Sequence, residues 1–155
     1  MPLISRVFEF YNPYSTKNAH TTQASITMPQ MVNGMTPPPV LTLYSEKQTG
    51  MSFYAPRYSQ YTVTYCVGGA FIGDCMLQYS NTPSPGDGDW IDIPGTLKSY
   101  IGLETTGGAG ISGGFSSAIS HPVQTDAVVF VGDYFWLRAR LNISQGSLLS
   151  MRYNF

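Results

Sequence analysis

Three aspartates lie close together in the stretch LQYSNTPSPGDGDWIDIPG, residues 77–95, and closely spaced carboxylates are the ligands of calcium loops. A helix–loop–helix calcium site also needs a central glycine, a bidentate acid at the twelfth position and a helix on either side. Counted from Asp87, the twelfth residue is Lys98, and no helical pattern flanks the loop. Two prolines and two glycines within residues 83–88 instead supply the backbone angles of a long turn. We therefore interpret Asp87, Asp89 and Asp92 as turn residues between two strands and predict no metal site.

A second stretch with possible chemistry is GAGISG, residues 108–113, which matches the dinucleotide-binding pattern G-x-G-x-x-G by letter. That pattern holds a pyrophosphate only where a buried strand enters it and a helix leaves it. The preceding IGLETTGG is not typical of a strand, and the following GFSSAISHP reaches a proline too soon for a crossover helix. We therefore predict no cofactor and interpret residues 102–117 as a mobile loop that orders against a partner.

Residues for acid–base or nucleophilic catalysis are few. The two histidines, His20 and His121, lie in no nucleophile motif, and Asp126 and Asp133 flank a strand pattern. Carboxylates of a glycosidase pair in space, so the sequence leaves their pairing open. The residues as a set predict a protein that is not an enzyme.

Two cysteines, Cys66 and Cys75, flank the segment VGGAFIGD and would face each other if their strands formed a hairpin. Without companion histidines they make no zinc site. The start MPLISRVFEFYNPY lacks the features of a signal peptide, which predicts a cytoplasmic site of synthesis with reducing conditions. Two reduced, partly buried thiols are the preferred interpretation, with a disulfide as the open alternative.

The elements that must position these residues are strands, because apolar residues alternate with period two while helical spacing is absent. In FWLRARLNI, residues 135–143, the phenylalanine and every second residue after it are predicted to point inward. The C-terminal LLSMRYNF repeats the pattern, and SQGS between them predicts a hairpin. YTVTYCV and CMLQYS predict a second hairpin. The predicted inward residues of the C-terminal strand are Leu149, Met151, Tyr153 and Phe155.

Turn signals recur about every ten residues between eight or so strand candidates. This spacing predicts an all-β fold, a jelly-roll-like β-sandwich of about eight strands, with a closed barrel as the structural alternative. We predict a single sandwich domain over residues 21–155. Residues 1–20 are predicted as an N-terminal arm, and an ordinary first strand of the same sandwich is the open alternative.

The composition points to contacts with other proteins. Charged residues make up only 11% of the chain and the net charge is −1, which gives no electrostatic footprint for nucleic acid or an anionic membrane. No apolar run is long enough to span a membrane. Tyrosine, which is enriched at interfaces, is frequent. The residues that we predict to contact a partner are Val7, Phe8, Phe10, Tyr11 and Tyr14.

The order of LQYSN, a loop, DWIDIPG, a glycine-rich stretch and YFWLRARLNISQGS resembles small β-sandwich structural proteins of tailed-phage virions. These are head decoration (cement) proteins and related tail and neck components, and the resemblance covers about residues 60–155. It implies a homo-oligomer, a dimer or trimer, made in the host cytoplasm and incorporated in the virion. Its partner would be the major capsid protein or another virion protein, and the family has no catalytic residues. The alternative is a carbohydrate-binding or receptor-binding domain of a tail fibre.

Overall fold

The computed structural model describes residues 4–11, 22–28, 40–55, 58–101 and 123–155. Within these ranges the chain is mostly strand, with a single helical turn, α1 (Met51–Tyr54), and a 3₁₀ turn at Asp87–Asp89. The strands are β1 (Ser5–Val7), β2 (Phe10–Tyr11), β3 (Thr22–Gln23), β4 (Ile26–Thr27), β5 (Leu41–Tyr44), β6 (Gln48–Thr49), β7 (Ser59–Val67), β8 (Ile72–Ser80), β9 (Ile91–Asp92), β10 (Lys98–Ile101), β11 (Gln124–Gly132), β12 (Trp136–Gln145) and β13 (Ser147–Asn154).

Two antiparallel sheets form the sandwich. Sheet I has the order β1-β13-β7-β11, with β4 also paired to β13. Sheet II has the order β10-β8-β12-β5, with β9 on β8 and β6 on β12. The short strands β2 and β3 pair with each other. Four of the pairs nest along the chain: β8 with β10, β7 with β11, β5 with β12 and β1 with β13. Such nested pairs, wrapped into two sheets, make a jelly roll, so the predicted jelly-roll-like β-sandwich is confirmed.

The core lies between the sheets and is built by the predicted alternation. Leu137, Ala139, Leu141 and Ile143 of β12 are fully buried, as predicted. Phe135, predicted to point inward with them, lies just before β12 and is only partly buried, with its ring 5.3 Å from that of the exposed Phe53. The alternation therefore begins with β12 itself.

Both predicted hairpins are wrong. Strands β12 and β13 lie in different sheets, and so do β7 and β8. Period two reports which face of a strand is buried, but inward faces are needed on both sheets, so the pattern does not identify the neighbouring strand. Gly146 takes the chain from β12 to β13 with a φ of +82°, a conformation that favours glycine.

The C-terminal strand also departs from its predicted register at one residue. Met151 and Tyr153 are fully buried and Phe155 is 9% exposed, as predicted, whereas Leu149 is exposed and its neighbour Leu148 is buried. The pairing of β13 with β7 shifts between Leu148 and Ser150. An extra residue of this kind reverses the faces of the residues before it, which a strict alternation does not anticipate.

The N-terminal strand is part of the sandwich. Phe8 and Phe10 are fully buried, and the Phe8 ring stacks on Tyr153 with centroids 5.0 Å apart. Ile4 and Phe155 exchange two backbone hydrogen bonds of 3.0 Å. The first-strand alternative therefore describes residues 4–11. The predicted contact of Phe8 and Phe10 with a partner is wrong, because these rings fill this chain's own core.

Of the other predicted contact residues, Tyr11 is 46% exposed and Val7 is partly exposed. Tyr14, together with residues 1–3 and 12–20 of the predicted arm, lies outside the described residues. So do His20, His121, the G-x-G-x-x-G stretch at 108–113 and the whole of the predicted loop at 102–117.

We expect Phe8→Ala to lower the free energy of unfolding by about 3–5 kcal/mol, because a large ring is removed from a closed core. Tyr11→Ala, three residues away on an exposed side chain, should change it by about 0.5 kcal/mol or less. Urea unfolding followed by tryptophan fluorescence measures both. Similar small effects for the two variants would show that the first strand does not belong to the core.

The crossing point can be tested with a matched pair of glycines. Gly146 and Gly95 have nearly the same φ, +82° and +83°, but a Cβ at Gly146 would lie 2.7 Å from the Ala70 carbonyl oxygen, whereas Gly95 has open space. Gly95→Ala should cost about 1–2 kcal/mol for the left-handed backbone alone. Gly146→Ala adds an overpacking cost of about 1–3 kcal/mol. Thermal and urea unfolding measure these losses of unfolding free energy. Equal losses in the two variants would contradict the close approach of Gly146 to the Ala70 carbonyl.

Candidate interaction surfaces

The outward face of sheet II carries a guanidinium held between two aromatic rings. Arg138 projects outward from β12, where the alternation places every second residue on the surface. Its guanidinium carbon lies 4.1 Å from the ring centroid of Tyr44 and 4.5 Å from that of Trp90. Tyr44 comes from the edge strand β5 and Trp90 from the residue after the 3₁₀ turn. Three segments distant in sequence therefore build one cation–π site.

A hydrogen-bonded row continues from Arg138 across the face. Its Nε donates to Gln78 Oε1 at 2.8 Å, and Gln78 Nε2 donates to Asp92 Oδ1 at 2.7 Å. Asp92 also forms an ion pair with Arg140 at 3.7 Å. Burial lowers the pKa of the Arg138 guanidinium, and the neighbouring Tyr44 and Asp87 oppose that shift. The row fixes the direction of each side chain and leaves a patterned polar surface.

Two of the three closely spaced aspartates are held by hydrogen bonds or an ion pair. Asp89 accepts a hydrogen bond of 2.8 Å from the Gly86 backbone and so closes its own 3₁₀ turn, while Asp92 is engaged by Gln78 and Arg140. In the ranges that the structure covers, no three His, Cys, Asp or Glu side chains converge in a group that could hold a metal ion.

The outward face of sheet I has a different chemistry. On β7 and β11 it presents uncharged side chains, and in the described strands of this sheet Arg152 is the charged residue that lies on it. Val129 and Val131 are 58% and 60% exposed. The uncharged residues of the two strands are Gln60, Thr62, Thr64, Cys66, Thr125, Ala127, Val129 and Val131. A flat surface of this kind fits contact with another protein better than contact with a charged ligand.

The two cysteines are not bonded to each other in the structure. Cys66 lies on the outward face of sheet I, where its sulfur accepts a 3.6 Å contact from the Thr125 hydroxyl. Cys75 points into the core from sheet II, and burial raises the pKa of its thiol, which keeps it protonated. Their strands lie in different sheets, so the hairpin geometry that would bring them together is absent.

The two carboxylates left open by the sequence do not form a catalytic pair with each other. Asp126 accepts hydrogen bonds from the Tyr100 hydroxyl at 2.8 Å and from Gln124 at 3.2 Å, whereas Asp133 accepts one from the Ser52 hydroxyl. Seven residues of nearly continuous extended chain separate them, about 23 Å at 3.3 Å per residue. Paired glycosidase carboxylates lie within about 10 Å of each other.

A small cleft opens near Asp126, between the ends of β10 and β11. Its volume is about 130 Å³, and Phe71, Tyr100 and Gln124 line it with the Gly68–Gly69 backbone. Burial, followed by the hydrogen bond to Asp126, raises the pKa of the Tyr100 hydroxyl, which therefore stays a donor. The cleft is small for a drug-sized ligand, whose sites occupy about 300–1,000 Å³.

The tyrosines divide between core and surface. Tyr61 and Tyr65 are fully buried, while Tyr54 and Tyr58 are 50% and 75% exposed. The sequence did not reveal the site of Tyr44, Trp90 and Arg138, because no spacing rule links residues that meet only across strands. The contact of the Lys47 ammonium with the Trp136 ring, 4.5 Å from its centroid, was missed for the same reason.

Within the described part of the chain, no helix has the length and apolar character needed to cross a membrane. The chain matches no protein-family model, and no curated protein matches it in sequence. The class that the structure defines is an all-β jelly-roll sandwich with two different outer faces. In the described strands, one face has Arg152 as its charged residue and the other is patterned with polar and aromatic side chains.

Proposed function

We propose that the chain is a non-enzymatic virion structural protein, a capsid decoration (cement) protein that binds and stabilises the shell of the major capsid protein. It is made in the host cytoplasm and acts in the virion as a homo-oligomer. The observation that carries the proposal is the uncharged part of the outward face of sheet I, formed by β7 and β11, which offers an extended surface for protein contact.

The physical reasoning rests on the cost of desolvation. Binding to a shell removes water from a whole face, and each unpaired charge on that face would add a penalty of several kcal/mol. Threonines, valines and serines on a sheet carry no such penalty, and their hydroxyls can bond across an interface. Jelly rolls also occur in viral capsid proteins, an association that supports the proposal by analogy with the fold alone.

The proposal predicts which face docks. Ser150→Lys adds a charge to the outward face of sheet I, on β13, while Ser99→Lys adds the same charge to the exposed outward face of β10 in sheet II. Cosedimentation with shells assembled from the major capsid protein should show binding weakened at least about ten-fold by Ser150→Lys, one buried unpaired charge. Ser99→Lys should bind as the unmodified protein does.

Absence of the unmodified protein from purified particles, judged by electron microscopy and immunoblotting, would overturn the decoration role. If the two lysine variants bind shells equally, the decoration role stands, but the outward face of sheet I is not the docking surface.

A second candidate function, a carbohydrate-binding or receptor-binding domain of a tail fibre, is favoured by the polar–aromatic face of sheet II. Tyr44 is 46% exposed, Trp90 is partly exposed, and Gln78 and Asp92 lie beside them as hydrogen-bonding groups. Aromatic faces flanked by fixed polar groups are common in sites for sugars and other small ligands.

A glycan array separates the two candidates. Under the decoration role, the isolated protein should retain no glycan. Glycan binding that is lost in Trp90→Ala but kept in Ile91→Ala, the exposed neighbour, would favour the receptor-binding role. Both variants alter exposed or partly exposed positions, so circular dichroism should report an unchanged fold.

A further inference from the structure

In the described part of the chain, three of the four edges of sheets I and II are interrupted, and the fourth is not. The edge opposite β11 in sheet I is made of β1 and β4, with three and two residues. In sheet II one edge is β5 and β6, and the other is β9 and β10, each with four residues or fewer per strand. Short, broken edges resist the addition of further strands. The β11 edge lacks this protection.

Strand β11 has nine residues, Gln124–Gly132, and every one of them pairs in unbroken register with β7. In the described part of the chain it pairs on that side alone. It contains no proline, lysine or arginine and no bulge, which are among the features by which natural edges avoid pairing. Its one charge, Asp126, is held from within by Tyr100 and Gln124. Half of its backbone N–H and C=O groups therefore point away from β7, within the plane of the sheet, where another strand could pair with them.

We propose that a second copy of this chain pairs antiparallel with the β11 edge about a two-fold axis at Val128, which joins the two copies of sheet I into one continuous sheet. The biological purpose of this dimer rests on the assembly role proposed above. The dimer would provide a defined interface for the predicted homo-oligomer. A two-fold contact uses the same strand on both copies, so it closes as a dimer.

The strand's own sequence favours a second copy as the occupant. Pairing about Val128 places Ala127 beside Val129 of the other copy, and Thr125 beside Val131. On the inward side Asp126 lies beside Phe130, so the two aspartates never face each other. No charge lies on the outward face of β11. The strand therefore offers no opposite charge that would favour an acidic or basic partner strand over a second copy. The two exposed valines, Val129 and Val131 at 58% and 60%, would then each gain an uncharged neighbour from the second copy.

The register can be tested by charges that differ only in arrangement. In the double variant A127E/V129E, two glutamates from opposite copies face each other on each side of the axis. In A127E/V129K, each glutamate faces a lysine. Like charges directly opposite destabilise strand pairing and opposite charges stabilise it, so we expect the dimer dissociation constant to rise at least about ten-fold in the first variant and to stay within about three-fold of the unmodified protein in the second.

Sedimentation equilibrium of the purified full chain, without shells, gives these constants. Circular dichroism melting confirms that each variant is folded. Should A127E/V129E fail to fold, hydrogen exchange on the unmodified protein supplies a second test: the β11 amides should gain protection as protein concentration rises.

Each other outcome overturns the inference. If the unmodified protein is monomeric at about 100 μM, its self-association is weaker than that of a typical specific interface, and the dimer is excluded. A dimer that survives A127E/V129E uses another surface, and loss of the dimer in both variants excludes the register about Val128. Protection of β11 that does not depend on concentration shows that the same chain covers the edge. Because the readout is oligomeric state alone, failure here is distinguishable from failure to bind shells.

Discussion

Three tyrosine hydroxyls of sheet I cross the core and bond to the backbone of sheet II or of the segments that adjoin its strands, and the rest of the structure depends on these bonds. Tyr153, Tyr65 and Tyr61 project inward from sheet I and are fully buried. Tyr153 donates to the Thr49 carbonyl at 2.5 Å, Tyr65 donates to the Thr96 carbonyl at 2.7 Å, and Tyr61 accepts from the Met51 backbone at 2.8 Å. A buried hydroxyl without a partner costs about 1–3 kcal/mol, so each bond fixes how one sheet sits on the other.

The same burial keeps these hydroxyls chemically inert. It raises the pKa of Tyr65 and of Tyr153, which therefore remain protonated well above neutral pH. The raised pKa values stabilise the folded state fully below the ordinary tyrosine value of 10.0, and this contribution is lost as the pH rises above it. These three buried tyrosines are not available at the surface, so the partner contact that we propose would fall to the outward strand residues.

The two outward faces of the sandwich differ in charge and in aromatic content, because the outward residues of their strands differ. Sheet II brings Arg138 and Arg140 on β12 beside Asp92 on β9, and their charges are paired or stacked on rings. Sheet I presents threonines and valines with hardly any charge. A rigid sandwich with two chemically distinct faces suits a protein that must meet two different neighbours in an assembly. In the described strand order of sheet I, β7 pairs with β13 on one side and with β11 on the other, so β11 is the edge strand.

The sequence by itself determined the local features of the protein. Alternation at period two identified β12 and the inward residues Leu137, Leu141 and Tyr153, and the turn signals between the strands indicated an all-β sandwich. These features depend on neighbours along the chain, for which spacing is a sufficient guide. Tertiary structure decided which strands pair, where β13 shifts its register at Leu148, and that Phe8 belongs to the core. It also brought Tyr44, Trp90 and Arg138 together, because hydrogen bonding between distant strands and the close packing of two sheets set those contacts, and neither leaves a periodic trace in the sequence.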